Sequence, residues 1–399
     1  MAKQRIVVFG GSFDPIHEGH LQSARCVLSA MDPDLLLVMP SGNPPYKHCA
    51  ASPEDRWRMV VCACAGDPRL VPSRLEIDRS GTVYTKDTLT ALKKNYPEAK
   101  LFFVLGADAL LKASEWHGVR DVIAQCTFAV LPRPGIDDAA LSAGKERLES
   151  MGGKVKVLPE EPVSVSSAEI RAALASGAVP AGLNVAVLEY CACKGLYGAP
   201  VRVPQAASWI DALFASLKPH RFAHSLSVAD KSRRLALIHG VNPLKAEQAG
   251  ILHDCAKYVP LHEMQRIARE RNLPVNASML ESGALLHAPV GAEVARDQYG
   301  MTDPEVLEAI AYHTTGAPGM SRLAMCVCLA DSIETLREPY PGLDRIRALA
   351  ERSLERALLL SLERTADYVS SRGKYVDPHT RETIAWLRGQ VSSLPGVSL

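Results

Sequence analysis

Residues 6–21 read Ile6-Val7-Val8-Phe9-Gly10-Gly11-Ser12-Phe13-Asp14-Pro15-Ile16-His17-Glu18-Gly19-His20-Leu21: a short apolar run, a glycine turn, and helical apolar spacing that resumes at Leu21. A strand ending in paired glycines lets backbone approach phosphate. The helix that follows offers unpaired N–H groups and the positive end of its dipole. The stretch therefore predicts a nucleotide seat. His17 and His20, three apart, share one face of that helix and can both donate to phosphate oxygens.

The same rhythm continues outward. Apolar runs at residues 6–9, 35–39, 70–71, 101–105, 128–131 and 155–158 alternate with helical patterns. That alternation predicts βαβ units and a Rossmann-like α/β domain. Later the runs stop, and residues 246–256, 305–312, 325–336 and 343–369 carry apolar positions at helical spacing. The second half reads as all-α. Between them Gly195-Leu196-Tyr197-Gly198-Ala199-Pro200-Val201-Arg202-Val203-Pro204 has two glycines and two prolines, the composition of an irregular connector. The expected domains are residues 1–198 and 206–399, joined by a linker at 199–205. Four of the twelve histidines precede this seam and eight follow it.

The chain has 399 residues, 47% hydrophobic and 22% charged, ordinary for two globular domains. Lys plus Arg total 45 against 44 for Asp plus Glu, so no global field draws it to nucleic acid or to a membrane surface. Anionic substrates must be caught locally. The first apolar run is too short for a signal-peptide core, and no stretch approaches the roughly 18 apolar residues of a membrane span. A cytoplasmic protein is expected. Ten cysteines include no C-x-x-C pair, which predicts buried thiols in a reducing compartment.

The string G-G-S-F-D-P-x-H-x-G-H over residues 10–20 resembles the nucleotidyltransferase superfamily. Further along come Pro40-Ser41-Gly42-Asn43-Pro44-Pro45-Tyr46-Lys47-His48, Tyr84-Thr85-Lys86-Asp87-Thr88-Leu89, Gly106-Ala107-Asp108 with Trp116, Pro132-Arg133-Pro134-Gly135, and Val165-Ser166-Ser167-Ala168-Glu169-Ile170-Arg171. In that order they resemble the nicotinate-mononucleotide adenylyltransferases over roughly residues 1–198. Ala168 stands where that family usually has threonine. The resemblance implies ATP binding by Gly10, Gly11, Ser12, Phe13, His17, His20, Ser166, Ser167 and Arg171. It puts the nicotinate-nucleotide pocket at Tyr84, Thr85, Asp108 and Trp116, with Trp116 offering a flat face to the pyridine ring. The reaction joins two anions, so positioning and charge neutralisation should dominate. His17, His20, Lys47, Arg133 and Arg171 are the expected cations and donors, alongside Mg²⁺ with ATP. Ser166 and Ser167 precede the helix suggested by residues 168–175 and are expected to cap it. His48 and His117 are not assigned a task.

In the second half His253-Asp254 sits in an otherwise apolar helical stretch. A buried carboxylate is costly unless it has cationic partners, and imidazole with carboxylate suits iron, manganese or zinc. With His224, His287, His313 and Asp331 in order, the pattern H…HD…H…H…D resembles the HD phosphohydrolase superfamily, in the subset with two extra histidines. The strings L-L-H-A-P-V-G-A, Y-H-T-T-G and L-A-D-S-I-E resemble bacterial HD proteins identified as symmetrical diadenosine tetraphosphate hydrolases. The resemblance implies two divalent metals, iron expected. His224, His253, Asp254 and Asp331 would hold one, and Asp254 would bridge to another held by His287 and His313. Lys257, Thr314, Thr315 and Gly316 would meet substrate phosphate.

The expected partners are thus ATP, nicotinate mononucleotide and diadenosine tetraphosphate, with no nucleic acid, no membrane and room for a homo-oligomer. Competing readings are a first half that adenylylates pantetheine phosphate or a similar acceptor, and an HD half that acts on another nucleotide. A third is an HD half that serves as a metal-stabilised nucleotide sensor or dimerisation module.

Overall fold

In the computed structural model, six parallel strands, β1 (Arg5–Gly11), β2 (Leu35–Pro40), β3 (Leu70–Pro72), β4 (Lys100–Gly106), β5 (Cys126–Leu131) and β6 (Val155–Val157), form one sheet in the order β3-β2-β1-β4-β5-β6. The structure describes residues 3–44, 48–132, 137–159 and 165–393. Ile6 pairs with Leu35 on one side of β1 and with Leu101 on the other. Ile6, Val7 and Val8 are fully buried, as a strand covered on both faces requires. The strand order reverses between β1 and β4, and in such sheets ligands bind outside the strand ends at that reversal.

Leu21, Ala24, Val27 and Met31 bury one face of the helix Glu18–Met31. That helix begins at Glu18, so His17 is its extended cap residue rather than an interior position. Asp32 ends it in the left-handed region at φ 43, and its N–H returns to the Leu28 carbonyl.

The described residues form two compact units: one runs to Cys191 and takes in Gly195–Pro200, and the other holds Ala192–Lys194 and everything from Val201 on. Among its described residues the second unit is helical throughout. Its helices Pro219–Ile238 and Pro243–Leu252 cross backbone to backbone at Gly250. A Cβ there would lie 2.6 Å from the Ala229 Cα. This contact sets His224 on the first helix beside His253 at the end of the second.

Two helical runs differ from expectation. Residues 343–369 form two helices, Leu343–Ala350 and Leu354–Ser371, because Ser353 breaks the run and its hydroxyl caps the second helix at the Arg356 N–H. Residues 246–256 stay helical only to Leu252, and His253-Asp254 sit in the turns beyond it. No helix among the described residues is long and apolar enough to cross a membrane.

Candidate functional sites

The carboxyl ends of β1, β4 and β5 open onto a cleft of about 580 Å³. Gly10, Gly11, Ser12, Phe13, His17, His20, Asp108, Ser166, Ser167 and Arg171 all line it. The His17 and His20 rings lie 3.8 Å apart, and Phe13 meets His20 edge-on. The His17 N–H donates to His20 Nδ1 at 3.3 Å, so a neutral His20 carries its proton on Nε2. His17 is buried at 6% exposure.

Arg171 Nη1 donates to the Asp14 carbonyl at 2.7 Å, which ties the helix Ser167–Ala175 to the turn after β1. Ser166 caps that helix: its hydroxyl accepts from the Glu169 N–H while the Glu169 carboxylate accepts from the Ser166 N–H. Ser167 does not cap. Its hydroxyl donates to the Pro15 carbonyl instead, because the residue inside the first turn faces the neighbouring loop.

Tyr84, Thr85 and Trp116 are absent from the lining of the cleft, whereas Asp108 is exposed within it. Trp116 packs edge-on against Phe103 and Phe128, with ring centroids 6.2 and 6.4 Å away, and remains half-buried. The Tyr84 ring lies 4.5 Å from that of His117, the residue next to Trp116. His117, unassigned in the motif, therefore meets Tyr84 in space. Lys47 and Arg133 lie outside the described residues.

In the second unit, two groups of donor atoms converge, His224 with His253 and Asp254, and Asp254 with His287 and His313. They share Asp254, the pattern of a bridging carboxylate. Three histidines hold Nδ1 on a backbone carbonyl: His253 on Gly250 at 2.8 Å, His287 on Gly283 at 3.2 Å, His313 on Ile310 at 2.7 Å. His224 holds Nδ1 on Glu334 at 3.1 Å and sets Nε2 2.8 Å from Asp331. Each Nε2 is thereby left as the inward ligand atom. The fully buried Nε2 of His253 has no hydrogen-bond partner, an orphan that a cation would satisfy. This donor set fits divalent metal.

Electrostatics agree. Burial opposes charge on Asp254, yet His253, His287 and Lys257 outweigh it and hold its carboxyl well below the usual range. Burial pushes His253 and His313 down, so both imidazoles stay neutral. Burial also disfavours charge on His224, but its bonds to Asp331 and Glu334 prevail and lift it to about 8.

Lys257 reaches this centre, with Nζ 3.0 Å from His287 Nε2 and 3.4 Å from Asp254 Oδ1. The Thr314 hydroxyl lies 3.1 Å from His313 Nε2. Thr315 and Gly316 make hydrogen bonds within their own turn. The buried Thr315 hydroxyl donates to the Gly316 carbonyl, and the Gly316 N–H returns to Tyr312. Gly316 is a backbone requirement, at φ 65 with Thr383 Cγ2 2.6 Å from where a Cβ would stand.

Motif reading left out two groups at this centre. Glu334 is three residues past Asp331 on the sequence, and Arg221, three before His224, donates to Asp254 Oδ2 at 2.9 Å. Both charges at one-turn spacing from a ligand were the available signal.

Residues 8–173 match the family described as Cytidylyltransferase-like, and residues 221–336 match the HD domain. The chain is 28% identical over 367 residues to a Mycoplasma genitalium protein named "Probable nicotinate-nucleotide adenylyltransferase/Ap4A hydrolase", covering 90% of this chain and 97% of that one. It is 36% identical over 212 residues to a "Probable nicotinate-nucleotide adenylyltransferase" of Corynebacterium kroppenstedtii, covering 51% of this chain and 96% of that one. A solved structure from Clostridium acetobutylicum, described as a predicted HD superfamily hydrolase involved in NAD metabolism, is 35% identical. It covers 46% of this chain and 97% of its own, with a TM-score of 0.45.

Proposed function

Because this chain belongs over its first half to the nicotinate-nucleotide adenylyltransferase family and carries an HD domain in its second, we propose that it is a bifunctional nucleotide enzyme. Its first domain, residues 1–198, transfers the adenylyl group of ATP to nicotinate mononucleotide. Its second, residues 206–399 beyond a linker at 199–205, hydrolyses diadenosine tetraphosphate to two ADP. The observation that carries the first reading is the single cleft that gathers Gly10 to Phe13, His17, His20, Ser166, Ser167 and Arg171.

A phosphate oxygen of the mononucleotide attacks the α-phosphorus of ATP, the bond to the bridging oxygen breaks, and pyrophosphate leaves. Deamido-NAD forms without an enzyme nucleophile. His17, His20 and Arg171, joined by Lys47 and Arg133, neutralise the charge that builds on the transferred phosphorus. Mg²⁺ bound to the ATP phosphates would supply further neutralising charge. Tyr84, Thr85, Asp108 and Trp116 form the nicotinate-nucleotide pocket, extended by His117.

In the HD domain His224, His253, Asp254 and Asp331 hold one divalent ion, and Asp254, His287 and His313 hold another, with iron the proposed metal. When bound, the ions supply Lewis acidity toward phosphate and activate water for attack. Lys257, beside His287 and Asp254, and Thr314, beside His313, meet the substrate phosphates in this reading, and Glu334 keeps His224 in the ligating tautomer. The protein works in the cytoplasm, where both nucleotide pools lie.

Product analysis tests both readings: ATP with nicotinate mononucleotide should yield deamido-NAD and pyrophosphate, and diadenosine tetraphosphate should yield ADP alone. ATP plus AMP from the tetraphosphate would contradict the symmetrical cleavage, and no transfer to nicotinate mononucleotide would contradict the first reading.

A further inference from the structure

Arg56 lies in the helix Pro53–Cys64 and is only 1% exposed. Its Nη1 donates to the Ser12 carbonyl at 2.8 Å and reaches the Ser41 hydroxyl at 3.5 Å, and its Nη2 donates to the Gly42 carbonyl at 2.7 Å. All three acceptors are uncharged. A buried cation is costly, and one planar fork spanning two loops is something lysine cannot reproduce. The Ser41 N–H also donates to the Gly11 carbonyl at 2.8 Å, so the loops after β1 and β2 are joined at both points.

The consequence follows from peptide geometry. In a trans peptide the C=O and N–H point in opposite directions, and the Ser12–Phe13 bond is trans. Arg56 holds the Ser12 oxygen, so the Phe13 N–H is turned away from the helix that carries Arg56. Ser12 and Phe13 both line the cleft. Phe13 itself sits at φ 46, in the left-handed region that a non-glycine residue adopts only when its surroundings enforce it. Arg56 grips this turn from the helix Pro53–Cys64, and the Asp14 carboxylate accepts from the Ala50 and Ala51 N–H groups, just ahead of the same helix, at 2.7 and 3.1 Å.

We propose that Arg56 is a positioning residue for adenylyl transfer, holding the Ser12–Phe13 peptide so that the Phe13 N–H is presented to the ATP phosphates. This rests on reading the cleft as the ATP seat.

The test combines steady-state kinetics of Arg56→Met and Arg56→Lys with the amide resonance of Phe13 in protein labelled with ¹⁵N-phenylalanine. Diadenosine tetraphosphate hydrolysis and the melting temperature serve as folding controls. Arg56→Met should lower kcat/KM for ATP by about 10²-fold, the scale of a small misplacement, while KM for nicotinate mononucleotide moves by no more than about twofold. Arg56→Lys should recover part of the loss. Mg-ATP should shift the Phe13 amide in the wild type and not in Arg56→Met. A wild-type Phe13 amide indifferent to ATP, or equal losses toward both substrates, overturns the proposal. If Arg56→Met does not fold, Arg56→Lys with unchanged ATP kinetics does the same. A wild type whose Phe13 responds to ATP but which forms no deamido-NAD would sink the reaction assigned above and leave the role of Arg56 standing.

Discussion

His287 and His313 bring their Nε2 atoms within 3.1 Å of each other while each keeps Nδ1 on a backbone carbonyl. With both Nδ1 atoms protonated, the two lone pairs face one another and repel unless a positive charge lies between them or against them. The Lys257 ammonium, 3.0 Å from His287 Nε2, supplies part of that charge in the metal-free protein. The pair is prearranged for a cation. Metal titration should therefore saturate at two ions per chain, one for each donor group. His313→Ala should retain the ion at His224, His253 and Asp331 and lose the other. Loss of both ions, or of neither, would contradict the division of ligands.

Glu334 acts one step behind the ligands, since it accepts the Nδ1 proton of His224 and so directs Nε2 toward Asp331. Glu334→Gln keeps the size and removes the charge. Metal affinity should fall by about 10- to 100-fold, the usual cost of such an outer partner, with the fold intact. Isothermal titration of the variant checks this, and unchanged affinity would make Glu334 a packing residue only.

The sign of the pH dependence follows from His224. In the metal-free fold its pKa is raised to about 8 from an ordinary 6.5. A group raised on folding contributes stability that is fully present below pH 6.5 and is lost as pH rises through about 8. Metal needs the neutral imidazole and takes the place of that proton. Chelator-treated protein should thus melt at falling temperature across that window, while metal-loaded protein should not. Parallel melting profiles for the two forms would contradict the assignment.

His17 and His20 should each matter to adenylyl transfer alone. His17→Ala and His20→Ala should lower turnover by about 10²-fold or more, as when a transition-state donor is lost. Near wild-type turnover with ATP in either variant would remove that histidine from the phosphate site.

Much of this was legible in the sequence. Buried parallel strands are near-continuous apolar runs, so β1, β2, β4 and β5 stand where the runs put them, and the two short outer strands β3 and β6 stand at the runs 70–71 and 155–158 although they are less buried. The ordered H…HD…H…H…D resemblance likewise named the histidines that converge. What periodicity cannot show is the direction of a hydroxyl or the end of a helix. Thr315 turns inward and Ser353 breaks an apolar run through local hydrogen bonds that leave the spacing untouched. Arg56, Glu334 and Arg221 escaped for another reason: their partners at Ser12, His224 and Asp254 are 44, 110 and 33 residues away. Only the fold brings such pairs together.

The central claim is that one chain carries two independent chemistries, and Asp254→Ala tests it most directly. Among the described residues, Asp254 is the one carboxylate common to both donor groups. The measurement is metal content together with both activities in the purified full-length variant. The account predicts lost metal, abolished tetraphosphate cleavage and adenylyl transfer near the wild-type rate. Retained metal with retained cleavage would contradict the dinuclear hydrolase, and loss of both activities in a folded protein would contradict the independence of the two sites.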